Sequence, residues 1–106
     1  MQITLRINND EEKTYTNGFV KARVFRNALK LNKQLKTMTD ISVELFDSLV
    51  EFVVIAFDSQ FTIDEVWDGV EAHKLQAEVM RVFNEVLGLG GLAVQGQSDE
   101  GNGQGK

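Results

Sequence analysis

The chain has 106 residues, 42% apolar and 25% charged, with a formal net charge of −5 and no cysteine. One domain at most fits that length, since single domains run to about 100–150 residues, and without Cys neither a disulfide framework nor a thiolate metal site can form. No run approaches the roughly 20 apolar residues that cross a bilayer, and the N-terminus lacks the pattern of a secretory signal, so a soluble intracellular protein is expected.

Ile3, Leu5 and Ile7 alternate with Gln2, Thr4, Arg6 and Asn8, the period-two signature of a half-buried strand. Asn8-Asn9-Asp10 follows as a turn, because these side chains bond their own backbone. Lys13 to Thr16 then reads as a short returning strand, and Asn17-Gly18 closes the hairpin region. Two strands alone are marginal in water, so the hairpin must lean on a helix or another subunit.

From Val20 to about Lys36 the period becomes helical: Val20, Val24, Ala28, Leu31 and Leu35 share one apolar face, extended by Phe25 and Leu29. Arg23, Arg26, Lys30 and Lys33 fall together on another. Thr39, Asp40 or Ser42 can cap the next helix. Val43 to Ser59 is the most apolar segment, with Glu44, Asp47, Glu51 and Asp58 on one narrow stripe and apolar residues over more than half the circumference. Phe52 to Phe57 is also compatible with a buried strand, but the acidic spacing favours a central helix. Thr62-Ile63-Asp64-Glu65 has the form of a capping box, opening a short helix that pauses at Asp68-Gly69. Val70 to Leu87 resumes with Ala72, Leu75, Val79, Val82, Phe83 and Val86 on one stripe, and Gly88 reads as its C-cap. Trp67 and the seven Phe are expected in the core rather than as contact anchors. Residues 95–106 hold four Gly and no apolar side chain, so nothing offsets the entropy of ordering them. The expectation is an α+β domain over 1–92, a hairpin followed by three or four helices, with a disordered tail over 93–106.

Charge is unevenly spread. Residues 1–36 hold eight basic and three acidic side chains, and residues 37–106 hold three basic and thirteen acidic ones. Such asymmetry suits head-to-tail association or a basic patch on an acidic body.

One His, no Cys and four Ser leave little for catalysis. His73, beside Lys74, reads as a solvated surface residue. Glu71, at i−2 from it, lies on a different helical face and cannot share a metal. The pairs Asp64/Asp68 and Glu44/Asp47 read as solvated charges that suit helix N-termini. Gly88-Leu89-Gly90-Gly91 lacks the Lys-Ser/Thr ending of a phosphate loop and follows a helix instead of preceding one. No catalytic, cofactor or metal residue is therefore expected. The stripe Arg23, Arg26, Lys30 and Lys33 has three readings: a solvated face, a surface for an acidic partner or neighbouring subunit, or a phosphate contact. The last makes the chain a small nucleic-acid-binding regulator using helix 20–36, against which stand the −10 carried elsewhere and the lack of interleaved aromatic groups. The apolar excess points to a partner surface made by Leu45, Phe46, Leu49, Phe52, Val53 and Phe57 of the central helix with Leu75, Val79, Val82, Phe83 and Val86 of the last.

The opening MQITLRINNDEEKTYTNGFVKARVFRNALKL, with its Thr-Tyr-Thr step before a basic helix, resembles the start of tail assembly chaperones from siphophages of Gram-positive hosts. LFDSLVEFVVIAFDSQFTIDEVWDGV is similar to the same family's apolar helix and the Gln-Phe-Thr and Trp-Asp-Gly steps after it; the resemblance covers roughly residues 1–88. It implies a non-enzymatic assembly factor of the host cytoplasm, absent from the mature virion. Such a factor keeps the long helical tape measure protein soluble and helps bring tail tube protein to it. Many family members are also made as a longer frameshifted product, and the Gly-rich tail resembles the linker before that junction. Many copies must bind a long client. Contacts between Arg23, Arg26, Lys30 and Lys33 and the Glu44, Asp47, Glu51 and Asp58 stripe of the same or the next subunit would make a head-to-tail series.

Overall fold

Alternating Ile3 and Leu5 put one face of a strand toward apolar cover, and in the computed structural model, which describes residues 1–37 and 42–91, both are buried. The strand is β1 (Gln2–Asn8), and it pairs antiparallel with β2 (Glu11–Thr16), matching Ile3 to Tyr15 and Thr4 to Thr14. The threonine hydroxyls bond across the ladder at 2.8 Å. The turn is held by the Asp10 N–H donating to Asn8 Oδ1 at 3.0 Å. The second strand begins two residues earlier than its β-forming side chains suggest, because the register slips between Arg6 and Asn8 and brings Glu11 opposite Asn8.

Four helices follow: α1 (Ala22–Thr37), α2 (Val43–Ala56), α3 (Ile63–Gly69) and α4 (Ala72–Leu89). Helix α1 buries Val24, Ala28 and Leu31, one side of the expected face, and leaves Leu29 exposed. Of the three candidate caps for α2, Ser42 does the work, accepting the Leu45 N–H at 3.1 Å; Thr39 and Asp40 lie outside the described residues, as does the tail 93–106. Helix α2 is the centre of the fold, packed against α1, α3 and α4, and buries Leu49, Val50, Phe52, Val53, Val54 and Ala56. Fully burying such side chains contributes about 1.5–3 kcal/mol each.

Helices α1 and α4 begin two residues later than the sequence reading, at Ala22 and Ala72, and two helix C-termini also depart from it. Helix α2 stops at Ala56, so Asp58 leaves the acidic stripe; the chain turns back with the Ser59 N–H donating to Val54 O at 3.0 Å. Helix α4 does not end at Gly88 but runs to Leu89, with Gly90 as cap. The buried Leu87 holds that turn in place, and a Cβ at Gly90 would overlap the Phe25 ring. The capping box does form: Thr62 N–H donates to Glu65 Oε1 at 2.8 Å, and Glu65 N–H donates to Thr62 Oγ1 at 3.1 Å.

The hairpin leans on the helices through side chains. Asn17 Nδ2 donates to Ala56 O at 2.9 Å and Gln60 Nε2 to Thr16 O at 2.8 Å. Arg81 on α4 donates from Nη2 to Gln2 O at 3.0 Å and to Glu78 Oε1 at 2.8 Å. The hydrogen bond to Glu78 raises the guanidinium pKa against a partial desolvation that lowers it. Helix α3 lies so close to β1 that a Cβ on Gly69 would stand 3.0 Å from Arg6 O.

Candidate protein-binding groove

The apolar residues expected to face a partner separate into two groups. Leu49, Phe52, Val53, Phe57, Val79, Val82, Phe83 and Val86 are buried in the chain's own core. They cover one another because α2 sits between α1, α3 and α4, so a stripe too wide for a surface helix is enclosed from three sides. Leu45, Phe46 and Leu75 are only partly buried.

Phe46 and Leu75 belong to an open groove of about 600 Å³, completed by Val43, Trp67 and Ala72 and edged by Ser42, Asp47 and Gln76. Val43 is 70% exposed and Trp67 37%. Each side chain arrives from a different element with a local cause. The Ser42 cap sets the first turn of α2 and turns Val43 and Phe46 outward together. The capping box sets the direction of α3, which carries Trp67 in its last turn. Extended backbone at Val70 then starts α4 at Ala72, bringing Leu75 across from Phe46. Ile63, also exposed, lies one turn before Trp67 on α3. A surface of this kind can take the apolar stripe of a helix.

Sequence reasoning missed Val43 and Trp67 as surface residues and placed Trp67 and all seven Phe in the core. Phe52, Phe57, Phe61 and Phe83 are there, whereas Phe19 is 79% exposed. A signal existed for Phe19, which stands after Gly18 outside any periodic element. For Trp67 the helix is too short for a period to show which side faces out. Val20, Phe25 and Leu89 line a second, smaller pocket at the far end of α4 beside Lys21, and Phe19 precedes Val20 in the chain.

The charged residues are on the surface. Arg23, Arg26, Lys30 and Lys33 are all exposed along α1, and Glu44, Asp47 and Glu51 along α2. Lys30 and Glu51 line a shared groove with Gln34 and Ile55. Among the described residues, however, none of the four basic side chains makes an ion pair, and Asp58 is bound instead by Lys21 at 3.5 Å. His73 is exposed, with Nδ1 4.0 Å from Glu71, whose other oxygen holds Lys74 at 3.4 Å. Among the described residues no three His, Cys, Asp or Glu side chains converge on a metal-sized site, and no helix is long and apolar enough to cross a membrane.

A family model described as phage tail chaperone protein matches residues 1–104. No curated protein and no solved structure matches the chain.

Proposed function

From the premise that the chain belongs to the phage tail chaperone protein family, we propose that it is a non-enzymatic chaperone of siphophage tail assembly that holds the tape measure protein soluble until tail tube protein is brought to it. A role in tail assembly belongs to the family; the client and the surface that takes it are our reading. The observation that carries it is the groove of Val43, Phe46, Trp67 and Leu75, apolar surface left open on a chain whose core is otherwise enclosed. A long apolar helix is sparingly soluble alone, and laying its stripe into such grooves removes that stripe from water. The buried residues of α2 and α4 act from beneath, as the packed support of Phe46 and Leu75. On this reading the chain works in the host cytoplasm and leaves before the virion is mature.

The test is co-expression with the phage's tape measure protein. The wild-type chain should move the client into the soluble fraction, and a Val43→Ser/Trp67→Ser variant should not, while its circular dichroism matches wild type. A variant that solubilises the client as well as wild type would overturn the groove reading.

A second element rests on a separate observation, the stripe of Arg23, Arg26, Lys30 and Lys33 on α1, which makes no ion pair among the described residues. Because the family role is protein assembly, we read this face as meeting the Glu44, Asp47 and Glu51 face of a neighbouring copy, not nucleic acid. Replacing Arg23, Arg26, Lys30 and Lys33 by Glu should remove oligomers in sedimentation velocity. An unchanged distribution of species, or wild-type retention on DNA at physiological salt, would refute it.

A further inference from the structure

The groove has a sign as well as a hydropathy. Asp47 lines it on the α2 side, and Glu44 lies one turn before Asp47 on the same helix face. On the α3 side Asp64 stands one turn before Trp67, whereas Asp68 lines a separate pocket with Arg6 and Lys74. Asp47, Glu44 and Asp64 are exposed, and among the described residues none makes an ion pair. The nearest cation in sequence to the groove residues of α4, Lys74, is drawn to Glu71. An apolar floor is thus lined by Asp47 on the α2 side, with Asp64 one helical turn from the Trp67 wall on the α3 side, and neither makes an ion pair among the described residues.

Resting on the client reading above, we propose that the groove selects helical segments whose apolar stripe is flanked on both sides by Lys or Arg. The physical reason is differential. Burying the stripe is worth the same whatever flanks it, because that gain depends on apolar area alone. The flanks meet the border. Lys and Arg lay their aliphatic stems along the edge of the apolar floor while their charged ends reach Asp47 and Glu44 on one side and Asp64 on the other. Acidic flanks would place like charges within a few ångströms in a partly desolvated site, where such contacts are disfavoured. Border charges of this kind act on choice of partner more than on total affinity. A chaperone so built would settle at basic-flanked stretches of a long client and pass over acidic ones.

Trp67 is the only tryptophan in the chain and stands in the groove wall, so its emission reports occupancy directly. The probes are two synthetic amphipathic helices with the same Leu/Ile stripe, one flanked by Lys and one by Glu. Titrated into the full chain at low salt, the Lys-flanked peptide should shift Trp67 emission to the blue with at least about tenfold tighter binding. Near 1 M salt, where the screening length falls to roughly 3 Å, the two affinities should converge. An Asp47→Lys/Asp64→Lys variant should reverse the order. Equal binding of both peptides at low salt overturns the selection while leaving the groove as an apolar client site. If neither peptide moves the emission, the client reading itself fails. If the emission instead shifts with concentration of the chain alone, and the peptides compete with that shift, the groove belongs to a second copy and the proposal is overturned.

Discussion

Asp58 and Ser59 both sit in the left-handed region, with φ of 60° and 57°, where a side chain costs on the order of 1 kcal/mol that glycine does not incur. The strain persists because the surroundings over-determine the turn. Phe57 is buried ahead of it, Lys21 pairs with Asp58, and Gln60 is tied back to Thr16. Asp tolerates this conformation better than Ser, and the Ser59 side chain makes no hydrogen bond among the described residues. Ser59→Gly should therefore stabilise the chain by about 0.5 kcal/mol, the relief of strain being partly offset by the greater freedom of glycine when unfolded. A raised urea midpoint at unchanged slope is the expected result. Arg81 shows the opposite economy, a half-exposed side chain whose bonds to Gln2 O and Glu78 fasten α4 to β1. Its pKa is raised by Glu78, so what it contributes is fully present below the ordinary arginine range and is lost only as pH rises through the folded value.

Helix α3 has seven residues, too few to be stable by propensity. It stands because both ends are fixed, by the capping box at Thr62 and by Gly69 against the Arg6 backbone. Thr62→Ala should cost about 1 kcal/mol in chemical denaturation. It should also loosen Trp67, seen as a faster-quenched fluorescence with acrylamide before global unfolding. Helices α2 and α4 are held differently, by facing apolar surfaces such as the Phe52 and Phe83 rings, whose centroids lie 5.7 Å apart edge to face. The acidic spacing on α2 was legible because it repeats on the helical period. Its end was not: the apolar run continues smoothly through Phe57, and only the closing hydrogen bonds to Val54 and Ile55 mark Ala56 as the last helical residue. At α4 two glycines compete for one cap, and contact with Phe25, far away in sequence, decides for Gly90.

For the whole molecule, core and groove make separable demands on the same helices. Val53→Ala, in the enclosed centre of α2, should destabilise by roughly 1–3 kcal/mol through lost burial and the cavity left behind. Val43→Ser, at a side chain 70% exposed, should cost less than Val53→Ala and act on client solubility instead; thermal melts of the two variants beside wild type separate the effects. By itself the sequence left three or four helices open but determined the hairpin, the order of the helices, the capping box, the family and the segregation of basic and acidic charge. Each of these is written in local periods, turn residues or an ordered series of motifs. Which apolar residues stay open was decided only by tertiary structure. A helix pattern states how wide the apolar face is, but the neighbours that cover it come from distant parts of the chain. Three of them close over the middle of α2 and leave its first turn, with Trp67 and Leu75, uncovered.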